Sequence, residues 1–275
     1  MISLTKNQFE LYVPVAKQPD RVTDIFDSLE SQFSSAYQYI SEEYLGDDVT
    51  AAIDGGSAPT ASLPDIIRAC VCRRAFLMSI RSNDIVLTPT GFGIVSTDKV
   101  APASKERVTA LQKEIALSLR YSIDSLLGEL AKVDGWGASE IALTAIPHVF
   151  FRYRYFPKYS TLSSIEGNIN DPQLLAANTI LKDHISSDFN DELLTAIRTA
   201  DVSEDQMKVI ELMRRFMGAY VSDKIKEAKL AYADLIRLLD NNVETYTTYA
   251  ESAAYELNHF TNYENTQQDP CYFFG

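Results

Sequence analysis

The chain has 275 residues, of which 46% are hydrophobic and 23% charged, and this composition excludes a disordered protein. The length allows one large domain or two ordinary ones, and the scarcity of glycine and proline favours helices over a turn-rich β fold. The net charge of −13 disfavours general binding to nucleic acids or anionic membranes, because an acidic surface repels polyanions.

The first predicted elements are an arm and two helices. Residues 1–18 indicate an extended arm with one short turn. Apolar residues at spacings of three and four between Arg21 and Tyr44 predict a helix with one apolar face. A short second helix is predicted over 47–54, where the following glycine pair stops it, since glycine readily takes the left-handed conformation after a helix end.

The middle of the first half combines helices with one change of pattern. Pro64 suits the first turn of a third helix, which is apolar nearly all round and is a candidate central helix. β-branched residues then flank a Pro-Thr-Gly turn over 85–96, and this pattern predicts a short β-hairpin. Ser104 is the expected N-cap of a long helix that runs to about Val133.

The second half is placed after Trp136, because the sequence Asp-Gly-Trp-Gly at 134–137 ends the long helix. It opens with VFFRYRYFP (149–157), whose alternating aromatic residues predict a strand or extended arm. Asp171 and the proline that follows begin the next helix.

The remainder of the second half is expected to be nearly continuous helix. Ser203, with a glutamine three residues on, forms a capping box that opens one helix. No proline lies between 173 and 269, and breaks are expected near Gly218 and Asn241. The last residues, 265–275, are polar and then aromatic and indicate an extended C-terminal tail.

The two halves resemble each other. ISEEYLGDDVTAAI (40–53) echoes ISSDFNDELLTAI (185–197), and VCRRAF (71–76) echoes LMRRFM (212–217) at an offset of 141. The long helix from Ser104 aligns with residues 223–235 at an offset near 121. The offset therefore falls by about 20 residues, which is close to the length of the hairpin segment. The alternative is chance similarity among amphipathic helices.

These patterns predict a mainly α protein built from two copies of one helical-bundle unit. The first repeat covers 1–136 and carries the short hairpin, the second covers 137–264 and lacks it, and 265–275 form the tail.

No motif for catalysis, a cofactor or a metal ion is present. Cys70 and Cys72 lie two apart in a predicted helix and therefore face different directions, so we expect buried core residues. His148, His184 and His259 have no second ligand at metal spacing, and we expect structural roles for them. The prediction is a protein that is not an enzyme and binds no cofactor and no metal.

Cysteine usage and hydropathy bear on location. The third cysteine, Cys271, leaves an odd and sparse count that gives no disulfide framework and fits a reducing compartment. The first 14 residues lack the apolar core of a signal peptide, and no stretch reaches the ~20 apolar residues of a membrane span. We therefore expect a cytoplasmic protein.

Arginines occur in two notable settings. In FFRYRYF (150–156) they alternate with aromatic residues, as in platforms for single-stranded nucleic acid, although an ordered strand or interface arm fits an acidic protein better. Arg73 and Arg214, each followed by a second arginine, fall at matching repeat positions on apolar helices. Buried arginines need carboxylate or carbonyl partners, so we expect structural ion pairs.

Two stretches carry a resemblance to a known family. They are the opening ISLTKNQFELYVP, followed by a helix with EEYLG, and DIVLTPTGFGIVSTDKVAPASKERV at 84–108. The chain over about 1–130 resembles an uncharacterised helical protein family of phages and prophages of gut Bacteroidales, whose members look like head–tail connector or head-completion proteins. The resemblance implies a structural protein, possible incorporation in a phage particle, and no catalytic residues.

Candidate interaction residues lie at the hairpin tip and in the tail, namely Pro89, Phe92, Tyr272, Phe273 and Phe274. Consecutive aromatic residues after a polar stretch would expose apolar surface of the size that marks interaction sites. They dock on a neighbouring subunit or another virion protein, or the tail folds back on its own helices.

Three functions are compatible with the sequence. The first is a phage structural or assembly protein that self-associates or binds other virion proteins, and the second is a cytoplasmic interaction or regulatory module. The third is an enzyme with an unfamiliar site, which a deep pocket with converging ionisable groups would favour.

Overall fold

The computed structural model describes residues 2–16, 25–80, 85–88, 91–94 and 104–259. Within these ranges the protein is mainly α-helical, as the sequence predicts. The helices of the first half are α1 (Lys6–Tyr12), α2 (Glu30–Ile40), α3 (Asp47–Asp54), α4 (Leu63–Ser79) and α5 (Lys105–Leu130). Strands β1 (Ile85–Thr88) and β2 (Gly91–Ile94) lie between α4 and α5 in the chain.

The opening of the chain is helical, and the prediction of an extended arm is wrong for α1. Thr5 and Gln8 form a capping box: the Thr5 side chain accepts from the Gln8 amide, and the Gln8 side chain accepts from the Thr5 amide at 3.0 Å. This reciprocal pair satisfies two backbone donors at the helix start. Phe9 fixes the helix to the core, because its side chain is completely buried.

The other helices of the first half follow their local signals. The second predicted helix is confirmed as α3, and α4 begins one residue before Pro64. Buried residues occur on every side of α4, as expected of a central helix. Ser104 is the N-cap of α5, with its side chain accepting from the Arg107 amide. Helix α2 starts later than predicted, after a 3₁₀ turn at Asp27–Leu29, and passes into a π-turn at Ser41–Leu45.

The helices of the second half are shorter and more numerous. They are α6 (Glu140–Ala145), α7 (Phe156–Tyr159), α8 (Pro172–Ile185), α9 (Ser187–Arg198), α10 (Glu204–Tyr220), α11 (Ile225–Asp240), α12 (Thr247–Ala250) and α13 (Ala253–Asn258). Asp171 caps α8, and the capping box of Ser203 and Gln206 opens α10, as predicted. Helix α10 continues through Gly218 and ends at Tyr220, while α11 ends where predicted, just before Asn241.

The aromatic run 149–157 is neither a strand nor an extended arm, so that prediction is wrong. A 3₁₀ turn at Tyr153–Tyr155 leads directly into α7. The turn brings Phe150 and Phe156 together, with ring centres 5.1 Å apart and both side chains fully buried. Alternation in the sequence therefore reflects a folded turn that buries its phenylalanines in the core.

Matching helices have matching neighbours in the two halves. Helix α4 packs against α2 and α5, and α10 packs against α8 and α11. These are the pairs that the repeat alignment equates. Buried side chains from both halves form one hydrophobic cluster. Common descent of the two units stays a prediction, which superposition of about 20–133 on 170–260 tests.

Polar contacts join the halves along α5. Asp124 is 2% exposed, and its carboxylate accepts from the backbone amides of Tyr153 (2.9 Å) and Arg154 (3.0 Å). Arg120 on the same helix donates to the carbonyls of Ser164 and Ile165 at 2.5 and 2.6 Å. Two side chains of one helix thereby hold the chain on both sides of α7.

Candidate functional site

The hairpin segment carries two of the predicted interaction residues. Strands β1 and β2 pair antiparallel, with Ile85 opposite Ile94 and Leu87 opposite Phe92. Pro89 lies outside the described residues. In the described part of the chain the sheet has these two strands, so each has one edge whose backbone groups are not paired within the sheet.

The other predicted interaction residues, Tyr272, Phe273 and Phe274, lie outside the described residues. The described chain ends at His259, just after α13. The Asn258 amide group donates to the backbone carbonyl of His184 at 3.2 Å. The His259 ring lies 3.5 Å from the Asp240 carboxylate. The end of the described chain is therefore held against α8 and α11.

An apolar groove, which the sequence analysis did not identify, opens beside this point between α8, α10 and α11. We call it the apolar groove, and its volume is about 230 Å³. It is lined by Ile180, His184, Phe216, Tyr220, Ile225, Ala228, Lys229 and Tyr232. Ile225 is 52% exposed, whereas Phe216 and Ala228 form a buried floor. The signal for it in the sequence is weak, because its residues come from three helices and lie beside their main apolar stripes.

A second, polar cleft of about 430 Å³ lies between α4 and α5, near the end of α1. Its charged lining residues are Asp65, Arg73 and Arg154. Asp65 pairs with Arg68 at 2.7 Å, and Arg154 donates to the Tyr121 carbonyl and the Ser125 hydroxyl, each at 3.2 Å. Asp65 and Arg154 therefore have partners within the protein, and so does Arg73, which donates to the Tyr12 carbonyl.

Arg73 and Arg214, the first arginine of each Arg-Arg sequence, bind backbone carbonyl groups rather than carboxylates. Arg73 donates to the Tyr12 and Ser118 carbonyls at 3.3 and 3.4 Å and to the Ser122 hydroxyl. Arg214 donates to the Val149 carbonyl at 2.9 Å. Among the described residues neither has a carboxylate at ion-pair distance, so the expected ion pairs are wrong at these two positions.

The second arginine of each pair behaves differently in the two halves. The Arg74 guanidinium lies 3.3 Å from the centre of the Tyr39 ring, a cation–π contact. Arg215, its counterpart, is exposed. Arg73 and Arg214 thus both bind backbone carbonyls, whereas Arg74 and Arg215 differ in their surroundings.

The arginine-aromatic run does not present its phenylalanine rings to solvent. Phe150, Phe151 and Phe156 are at most 2% exposed. Arg154 lies over the Tyr121 ring, 5.2 Å from its centre, and Arg214 lies 4.3 Å from the Tyr155 ring. A platform for stacking nucleic-acid bases needs exposed ring faces, so these buried rings instead fasten the segment to the helices.

Cys70 and Cys72 are buried and free, as predicted. Burial raises the pKa of each thiol to about 12, which keeps both protonated at neutral pH. No group of three or more His, Cys, Asp or Glu side chains that could hold a metal ion occurs in the described ranges. None of the helices described here is long and apolar enough to cross a membrane.

His148 is fully buried, and its Nε2 lies 2.8 Å from the Ile169 carbonyl. Burial lowers the pKa of this imidazole below its ordinary value of 6.5, although the Ile169 carbonyl opposes the shift. The unfolded chain then binds a proton at a higher pH than the folded protein. The contribution of His148 to stability is therefore full above about pH 6.5 and is lost progressively as the pH falls from that value to the lower pKa of the folded protein.

We expect the wild type to lose up to about 1 kcal/mol more stability than a His148→Gln variant between pH 7.5 and 5.5. Glutamine does not titrate, and its amide can still donate to the Ile169 carbonyl. Urea unfolding of both proteins at the two pH values measures the difference. Equal losses in wild type and variant would show that His148 does not contribute to the pH dependence.

Part of the chain matches a known protein family. Residues 21–140 match a family of unknown function (DUF6712). The matched range contains the segment 84–108, one of the two stretches on which the resemblance rests, and ends close to the predicted boundary after Trp136. No curated protein and no solved structure matches the chain.

Proposed function

We propose that the protein is a non-enzymatic structural or assembly protein of a phage or prophage, with a role like that of a head–tail connector, and that it works by binding protein partners. The observation that carries the proposal is the two-stranded sheet of β1 and β2. It lies within residues 84–108, one of the two stretches that resemble the connector-like family. The resemblance over about 1–130 supplies the phage context, and the family match includes the same segment without attaching a function to it.

A two-stranded sheet is well suited to binding another chain. An isolated hairpin is marginally stable in water, and a third strand or a packed surface stabilises it. Both edges of the β1–β2 sheet offer backbone donors and acceptors that are not used within the sheet. A partner strand can pair with such an edge, a common mode of protein recognition.

The helices that precede and follow the hairpin segment in the chain, α4 and α5, pack closely against each other. Arg73 on α4 donates to the Ser118 carbonyl and the Ser122 hydroxyl on α5. Leu126, Leu127 and Leu130 anchor the far end of α5 in the core.

The polar cleft is the place to test for the competing enzyme hypothesis. Its charged groups already have partners within the protein, which favours a structural role for the cleft. Two tyrosines also line the cleft, Tyr12 at the end of α1 and Tyr121 on α5. We therefore favour binding over catalysis, and turnover that is lost in an Arg73→Lys variant would reverse this preference.

The deciding experiment measures the native mass of the protein at micromolar concentration, alone and with the products of its neighbouring genes. We expect a complex with itself or with a portal, capsid or tail protein. A monomer that binds none of these, from a gene with no virion genes nearby, would overturn the phage assignment and favour a cytoplasmic interaction or regulatory module.

A Phe92→Ser substitution is expected to weaken partner binding at least ~10-fold without changing the melting temperature. Phe92 lies opposite Leu87 in the sheet, and losing an aromatic contact that a partner buries costs more than ~1.4 kcal/mol. Leu143→Ser is the matched control, since Leu143 is 49% exposed on α6. Equal binding by the two variants would exclude the hairpin as the docking element.

A further inference from the structure

The apolar groove is a binding surface of a particular size and character. Its volume of about 230 Å³ lies below the roughly 300–1,000 Å³ of typical small-molecule sites. Phe216 and Tyr232 have ring centres 6.1 Å apart, and His184 lies 5.3 Å from Tyr232. An aromatic wall of this kind favours edge-to-face contact with another aromatic side chain. The groove is thus better matched to side chains of a peptide than to a cofactor.

The described chain ends beside the groove. Asn258 bonds to the carbonyl of His184, a residue that itself lines the groove. Sixteen residues of the sequence follow His259, and they include Tyr272, Phe273 and Phe274. The 13 residues 260–272 can span about 40 Å when extended, far more than the distance from α13 to the helices that it contacts.

Charge also matches between the groove and this segment. Lys229 contributes a positive charge at the lining. Residues 260–275 contain Glu264 and Asp269 and no lysine or arginine. Opposite charges at the edge of an apolar contact orient the partner and disfavour the wrong register.

We propose that the aromatic residues 272–274 bind in the apolar groove of their own chain. Attachment at His259 makes the encounter intramolecular, with an effective concentration in the millimolar range, whereas a second copy competes only at its bulk concentration. Covering Ile225, which is half exposed, removes apolar surface from water. This inference does not depend on the phage assignment, because it concerns contacts within one chain.

The native Cys271 provides a direct test, since it immediately precedes Tyr272. Lys229→Cys places a thiol at the groove, and mild oxidation then joins position 229 to Cys271 if the segment docks there. Leu230→Cys is the matched control, because Leu230 is the next residue of α11, is 63% exposed and lines a different surface. Cys70 and Cys72 are fully buried and do not compete.

We expect an intramolecular disulfide at least ~10-fold faster with Lys229→Cys than with Leu230→Cys, at a rate independent of protein concentration. Equal rates for the two variants would overturn the proposal. A faster reaction that instead gives covalent dimers would also overturn it, and would assign the groove to the segment of a second copy. Adding Cys271→Ser must abolish the bond in every case.

Deleting residues 268–275 gives a second measurement that needs no new cysteine. We expect the melting temperature of the monomer to fall by about 3 °C or more, because the groove becomes exposed. The double variant Ile225→Ser/Lys229→Ser, at the groove rim, should reproduce most of this fall in melting temperature. Combined with the deletion, it should lower the melting temperature no further than the deletion alone. An unchanged melting temperature after deletion, or additive effects, would count against docking in the groove.

Discussion

Replacing Asp124 with alanine is expected to lower the free energy of unfolding by about 2–5 kcal/mol, because two backbone amides lose a charged and buried acceptor. The Asp124 carboxylate is the acceptor for the amides of Tyr153 and Arg154, at 2.9 and 3.0 Å. It is 2% exposed, so water does not replace it readily. The Arg154 guanidinium, 3.9 Å away, loses its nearest carboxylate as well.

Chemical denaturation measures this effect, with Glu114→Ala as the control. Glu114 lies on the same helix but is exposed, and surface substitutions of this kind usually change stability by less than ~0.5 kcal/mol. Asp124→Asn should fall between the two, since an amide oxygen can serve only part of the carboxylate's role. If Asp124→Ala is as stable as the control, the bonds to 153 and 154 do not hold the halves together.

The same residue shows why the joint between the halves was not predictable. In the sequence Asp124 is a polar residue beside the apolar stripe of α5, and nothing local indicates that it is buried. Its partners are backbone amides 29 and 30 residues away. Backbone groups carry no sequence signature, so a carboxylate that binds them leaves no pair of residues to recognise.

Elements with local signals were predicted well. Helices α4, α5, α8 and α10 begin where a cap or a proline places them, and α3 ends at the predicted glycine pair. For α1 the signal was present, in the Thr5 and Gln8 capping box, but the helix is short and was overlooked. The run 149–157 failed for a different reason: its alternation matched a strand, while contacts with α5 and α10 decided its conformation.

In the candidate site, too, the element with a local sequence signal was predicted and the one formed by tertiary packing was not. The hairpin segment was located from its β-branched residues, and β1 and β2 fall within the predicted range 85–96. The apolar groove was missed because Phe216, Tyr232 and His184 come from three different helices. Each taken alone is an ordinary aromatic on a helix, and only the packing of α8, α10 and α11 brings them together.

Gly218→Ala is expected to destabilise the protein by about 2 kcal/mol or more, although alanine is the better helix former. A Cβ at position 218 would lie 2.3 Å from the Tyr159 carbonyl oxygen and 2.7 Å from the Tyr159 Cβ. These are atoms at the end of α7, and a backbone atom cannot rotate away as a side chain can. At the offset of 141 in the predicted repeat, Leu77 stands opposite Gly218, so the two halves do not share this glycine.

Gly128→Ala is the matched control, because it makes the same change inside another helix. Its new Cβ would meet the end of the Arg152 side chain at 3.1 Å, which can move by a few tenths of an ångström. The propensity gain of up to about 1 kcal/mol should then dominate, and stability should stay equal or rise. Urea unfolding of the two variants measures the difference: the midpoint should fall for Gly218→Ala and not for Gly128→Ala, at unchanged m-value. A midpoint that does not fall for Gly218→Ala would mean that α7 does not pack on Gly218 as closely as these distances require.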